Sequence, residues 1–236
     1  MKQQLPNVLT AINLLCGCAA ILSASQGHLI YASLFVLFGA FFDLFDGMLA
    51  RLLKVSHPLG AQLDSLADMV SFGVAPVFIV FYYLNEIEVM ALNYSVFILA
   101  VFSALRLAKF NIDEEQKSSF KGLPTPANAL FWVSIPLMNW QYNMDLGIID
   151  ISFVLSLFKQ PILLILLSLL FSLLMISNVP MISLKFSSLQ WRGNEPKIIF
   201  LLLSLGIIPV FLLASIPIIL LLYLLVSIIY NRFKHP

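Results

Sequence analysis

The sequence predicts an all-α polytopic membrane protein with about eight transmembrane helices. Three observations carry that expectation. Hydrophobic residues make up 61% of the 236 residues and charged residues only 11%, with a mean hydropathy of +0.98. A soluble domain of this size does not tolerate such a composition. The apolar residues fall into runs near the ~20 residues that cross a bilayer as a helix. The basic residues, finally, cluster in alternate connections between those runs.

In chain order the expected spans are 8–25, 29–52, 64–84, 89–108, 125–141, 160–181, 196–212 and 215–231. The second would be about 36 Å long at ~1.5 Å per residue, longer than the ~30 Å hydrocarbon core, so its last turns reach the interface. The connections around 26–28, 85–88, 143–150 and 215 are short. The stretch 111–121 is the longest polar segment, and Gly122-Leu123-Pro124-Thr125-Pro126 follows it. With the N-terminus inside, every one of the 13 Lys and Arg residues except Lys159 falls on the inner side. That asymmetry places both termini in the cytoplasm. No cleavable leader precedes the first span. Cys16 and Cys18 are two apart on a helix, cannot pair with each other, and are read as small packing residues. Trp132, Trp140 and Trp191 are expected as interface anchors. The 20 Phe are read as membrane packing, and no basic patch points to nucleic acid.

One compact pattern stands out: Asp43, Asp46, Gly47, Ala50, Arg51, Gly60, Asp64 and Asp68, or D-x2-D-G-x2-A-R-x8-G-x3-D-x3-D. Charges at membrane depth are expensive and usually functional. Asp43 and Asp46 are three apart, and Asp64 and Asp68 four apart, so each pair shares a helix face. Two such helices facing each other gather four carboxylates into a hard, oxygen-rich site suited to Mg2+ or Mn2+. Gly47 and Gly60 lack a Cβ and let a ligand approach the backbone. Ala50 continues the small surface from Gly47, and Arg51 can grip a phosphate bidentately. For Gly47 and Ala50 the competing role is close helix packing.

These eight residues match, without a departure, the signature of the CDP-alcohol phosphotransferase family, which this chain therefore resembles. The resemblance implies a six-helix catalytic core, here followed by two C-terminal helices at about 196–231, in a single transmembrane domain over 1–236. It also implies a homodimer, a site at the cytoplasmic membrane surface, and two divalent ions. Family chemistry displaces CMP from a CDP-linked substrate with an alcohol. From the family pattern, Asp43, Asp46, Asp64 and Asp68 bind metal, and Asp68 is also the catalytic base that takes the alcohol proton. Gly47, Ala50, Arg51, Gly60 and Asn13 contact the nucleotide or the CDP-lipid. For Asn13 an interhelical hydrogen bond is an equal competitor.

The flanking stretches 5–17, 63–76, 106–111 and 120–126 resemble the serine-using, membrane-bound branch of that family. Lys109 departs from the arginine common at its position, keeping the charge and losing the bidentate geometry. The implied reaction converts CDP-diacylglycerol and L-serine to phosphatidylserine and CMP, in a bacterial inner membrane. Arg106, Lys109, Asn111, Lys121 and Ser71 are the candidate serine contacts, with positive-inside anchoring the competing role for the cations. His57 is read as a solvated loop residue. The other readings are the same chemistry on glycerol-3-phosphate, inositol or inositol phosphate, and an ion-coupled transporter built on the aspartates.

Overall fold

A computed structural model describes residues 4–53, 58–88, 90–112, 121–182 and 194–234. Lys54, His57, Lys117 and Trp191 lie outside the described residues. The described residues are almost entirely helical. α1 spans Leu5–Ser25 and α2 Leu29–Leu53; α3, Pro58–Asp68, runs through a π-helical turn, Met69–Val74, into α4, Ala75–Ile87. A 3-10 stretch, Ala91–Phe97, opens into α5, Ile98–Ile112. α6 is Thr125–Asn143, α7 Ser152–Phe158 and α8 Pro161–Ile176. α9, Glu195–Phe211, and α10, Ser215–Lys234, are joined by a single 3-10 turn.

The helices are polar or small inside and greasy outside. α1 buries Pro6, Thr10, Asn13, Gly17, Ala20 and Ala24, one stripe at helical spacing, while Leu15 is 66% exposed. Lipid solvates leucine as well as another helix does, so close backbone approach and hydrogen bonding select the inner face. Gly17 shows the closeness: a Cβ there would stand 2.8 Å from the Ser71 Cα. α2 continues the pattern, burying Ala32, Ser33, Val36, Gly39 and Asp46. A core of buried apolar residues then runs from Ala20 to Tyr223, joining early and late helices.

Five helical stretches among the described residues are long and apolar enough to cross a membrane: Leu5–Ser25, Leu29–Leu53, Pro58–Ile87, Ala91–Ile112 and Glu195–Tyr230. α7 and α8, bent by 78° at their junction, together make a sixth. The 36 residues of Glu195–Tyr230 would form a rod of about 54 Å, yet they fold back on themselves. Leu212 has φ +50°, and the rings of Phe200 and Tyr223 meet at 5.9 Å. They therefore make two antiparallel passes. α6 misses the apolar criterion because it is enclosed: Asn128, Trp132, Ser134 and Gln141 are all buried, and a helix screened from lipid needs no apolar surface.

Three expectations are corrected. The third span begins at Pro58, so Asp64 sits inside a helix rather than at its start. The sixth ends at Ile176, not 181, because the chain then turns to pair with the segment ahead of α6. Gly122 N donates to Val179 O at 2.8 Å and Leu123 N to Leu174 O at 3.0 Å, and Lys121 bridges Pro180. Trp132 is fully buried and donates to Asn128 Oδ1 at 2.9 Å, so it is a core residue and not an interface anchor.

The C-terminal hairpin is held at both ends. At its tip, buried Gln141 of α6 donates from Nε2 to Phe211 O at 3.2 Å and accepts from Leu213 N at 2.8 Å and Ala214 N at 3.2 Å. At the other end, Tyr223 Oη donates to Ile182 O at 3.0 Å, and Ile182 N donates to Ser227 Oγ at 3.2 Å.

Gly122 is the tightest joint in the fold. Its φ is +74°, and a Cβ would collide with the Met175 carbonyl oxygen and lie 3.0 Å from that of Ser177. Gly122→Ala is expected to destabilise the protein by about 2–4 kcal/mol, from left-handed strain and overpacking together. Thermal unfolding in detergent measures this, and an unchanged midpoint would contradict the joint.

Candidate active site

Three helices converge to make the acidic cluster. The inward stripe of α2 carries Asp43 and Asp46, and α3 carries Asp64 and Asp68 on the face turned to α1 and α2. One carboxylate oxygen from each of Asp43, Asp64 and Asp68 lies within 4.8 Å of the others. Asp46 stands beside this trio. It is buried, and its Oδ2 accepts from the Thr10 hydroxyl at 2.6 Å. Asn13 Nδ2 donates to Asp68 Oδ1 at 3.4 Å, so α1 lays a polar rail along the carboxylates. Asp64 Oδ1 is buried without a hydrogen-bond partner. Carboxylates this close repel strongly in a medium of low dielectric, and an orphaned buried oxygen costs roughly 1–3 kcal/mol. A hard divalent cation relieves both, so the donor set fits one.

The π-helical turn directly after Asp68 supports this geometry. It widens the helix at Met69–Val74 and sets Ser71 against α1, where its hydroxyl donates to Asn13 O at 2.8 Å. Single π turns recur at functional sites because they re-aim the residues next to them. Ser71, one of the candidate serine contacts, is fully buried in this joint.

A cation faces the acidic cluster. Arg106 of α5 is only 8% exposed. Its Nη1 donates to Thr125 Oγ1 at 3.3 Å, while Nε and Nη2 are buried with no partner. A buried guanidinium with two idle edges is costly, and those edges form the fork that matches a carboxylate or phosphate. Lys109 and Asn111 are on the exposed end of the same helix. Lys109 Nζ reaches Asn178 Oδ1 at 3.5 Å, and Asn111 exchanges hydrogen bonds with Ser65 at 2.9 and 3.1 Å. Lys121 is half-buried at the bridge to Pro180. Thus the structure brings Arg106 towards the site and leaves Lys109 and Asn111 at its rim.

The signature glycines differ from each other. A Cβ on Gly47 would meet nothing within 4 Å, whereas one on Gly60 would stand 3.1 Å from Asn7 Oδ1. Gly47 therefore borders open space, with Ala50 and the exposed Arg51 following at three and four residues along α2. Thr10 and Thr125, which tether Asp46 and Arg106, were not singled out from the sequence. The signal for Thr10 is present: it lies on the Pro6-Thr10-Asn13-Gly17 stripe, the only side of α1 without large apolar residues. Thr125 has no comparable signal, because its role depends on a helix distant in sequence.

The profile of the CDP-alcohol phosphatidyltransferase family matches residues 3–174. The chain belongs to this family, and the transporter reading of the aspartates is set aside. Among its relatives is a CDP-diacylglycerol–serine O-phosphatidyltransferase of Bacillus subtilis (strain 168), 38% identical over 144 residues, which cover 59% of this chain and 77% of that protein. A protein of the same name from Helicobacter pylori (strain ATCC 700392 / 26695) is 31% identical over 228 residues, 95% of this chain and 89% of its own. The archaetidylserine synthase of Methanothermobacter thermautotrophicus is 33% identical over 153 residues, 63% of this chain and 64% of the relative. The profile ends inside α8, so the six helical passes up to α8 form the matched part and the α9–α10 hairpin lies beyond it.

Replacing Asp43 or Asp64 by Asn removes a charge from the cation set. The Mn2+ concentration giving half-maximal thermal stabilisation is expected to rise about tenfold or more for each variant. A value equal to wild type would remove that residue from the set.

Proposed function

We propose that this protein is a phosphatidylserine synthase, transferring the phosphatidyl group of CDP-diacylglycerol to L-serine with release of CMP. The observation that carries the proposal is the similarity to a serine O-phosphatidyltransferase along 95% of the chain. The buried, half-idle Arg106 guanidinium supports the choice of acceptor, since serine brings a carboxylate that needs a cation. The acyl chains lie in lipid beside the bundle, and the headgroup reaches the aspartates.

Asp43, Asp46, Asp64 and Asp68 would hold two Mg2+ or Mn2+ ions, which when bound neutralise the pyrophosphate and its developing charge. Gly47, Ala50, Arg51 and Gly60 receive the CDP moiety. Asn13 and Thr10 orient Asp68 and Asp46. Asp68 accepts the serine hydroxyl proton as the serine oxygen attacks the phosphorus that bears diacylglycerol. That new P–O bond forms while the bond to the CMP phosphate oxygen breaks, and CMP leaves with the electron pair. Such displacement needs positioning and charge stabilisation more than covalent help. Arg106 pairs with the serine carboxylate, assisted at the rim by Lys109, Asn111 and Lys121.

The site and both termini face the cytoplasm of a bacterial inner membrane. Every Lys and Arg except Lys159 falls in alternate connections between the spans or at the termini, which supports this orientation by the positive-inside rule. The whole chain acts as one transmembrane domain and pairs as a homodimer.

Purified protein with CDP-diacylglycerol and Mn2+ or Mg2+ is expected to release CMP with L-serine, and not with glycerol-3-phosphate, inositol or inositol phosphate. Release with another alcohol alone would replace the acceptor, and no release from folded protein would defeat the proposal. Asp68→Asn is expected to lower turnover at least about a hundredfold while CDP-lipid binding stays near wild type. Near-normal turnover would show that another group takes the proton. Arg106→Ala is expected to raise the serine KM about tenfold or more with little change for CDP-diacylglycerol. Equal effects on both substrates would remove Arg106 from the acceptor pocket.

A further inference from the structure

The α9–α10 hairpin lies beyond the family profile, which ends at residue 174, and no side chain of the site described above comes from it. Yet α10 reaches the back of that site through a short chain of bonds. Tyr223 Oη donates to Ile182 O at 3.0 Å, and Ser227 Oγ accepts from Ile182 N at 3.2 Å. One residue of the strap after α8 thus has both its backbone groups held by two buried side chains of α10. Three residues earlier in that strap, Val179 O accepts Gly122 N at 2.8 Å, while inside α8 Leu174 O accepts Leu123 N at 3.0 Å. Gly122 and Leu123 lead directly into Thr125, whose hydroxyl accepts from Arg106 Nη1.

We infer that Tyr223 and Ser227 are positioning residues for the acceptor pocket, holding the strap that sets Gly122, Thr125 and hence the Arg106 guanidinium. This inference rests on the reading of Arg106 as the serine-carboxylate partner. The physical argument is one of orientation. Arg106 offers Nε and Nη2 as a two-point fork, and such a fork loses much of its grip when its plane is turned. Its orientation is fixed by one bond to Thr125, the first residue of α6, and the segment leading into α6 is tied to the strap at Lys121 and Gly122 and to α8 at Leu123. Without α10, the strap is held only from the side of Lys121 and Gly122. α10 therefore acts on acceptor affinity, while the aspartate cluster, built from α2 and α3 against α1, does not depend on it.

The test uses the full-length protein in mixed micelles at saturating CDP-diacylglycerol and Mn2+. Tyr223→Phe keeps the ring that packs on Phe200 and removes only the hydroxyl. It is expected to raise the serine KM about fivefold, the size of one lost buried hydrogen bond, with kcat and the CDP-diacylglycerol KM within about twofold of wild type. Ser227→Ala, on the other bond to Ile182, is expected to shift the same constant in the same direction. A serine KM unchanged in both variants overturns the inference and leaves the proposed function intact. So does a uniform fall in kcat and thermal stability without a KM shift, which is what a merely structural role gives. A wild-type protein that releases no CMP with serine overturns both.

Discussion

Keeping like charges together inside a membrane-embedded bundle is the constraint on which the rest of this structure depends. At short range in a poorly polarisable medium, carboxylates repel by far more than a single helix contact returns. They stay together because three helices fix them from different directions. α2 and α3 supply them in pairs at helical spacing, and α1 supplies the small and polar rail on which they rest. The inward stripe of α1, with threonine, asparagine and glycine in place of leucine, follows from that demand. So does the π-helical turn, which lets the helix after Asp68 press Ser71 onto the α1 backbone.

The opposite charge is managed differently. Arg106 arrives on α5, is screened from solvent and lipid, and has one fixed bond and two idle edges. Acidic cluster and arginine form an electrostatic pair across the bundle, joined through space rather than by a salt bridge. Between them, one anion can be held through a divalent cation on the aspartates and another by the guanidinium. Around this polar centre the outer surfaces are almost purely apolar, so specificity lies inside and solubility in lipid lies outside.

Much of this was legible in the sequence because spacing survives folding. The aspartates announce themselves by three- and four-residue intervals, and their convergence follows from helix geometry alone. The helical passes were legible from apolar runs, α6 included at 125–141, although it is enclosed rather than greasy, and that enclosure makes Trp132 a core residue. The early end of α8 was not legible, since the helix stops at Ile176 and Val179 then pairs with Gly122, more than 50 residues upstream. Gln141, Thr125 and Tyr223 were silent for a shared reason. Each has an ordinary side chain for a membrane helix, and its meaning comes from a partner on another element: backbone groups for Gln141 and Tyr223, the Arg106 side chain for Thr125. Periodicity reports what a helix does for itself, and these residues act for others.

The strap between Gly122 and Ile182 has a consequence for how the protein is made. Synthesis proceeds from the N-terminus, so every carboxylate of the acidic cluster is made before α6. Gly122 must wait for the carbonyls of residues 174–179, and Tyr223 and Ser227, which hold Ile182 just beyond them, are made later still. The nascent chain thus carries a complete acidic cluster and a loosely held Arg106 side until α10 is in place. Insertion of α10 is the moment at which the two charged sides of the bundle come into register.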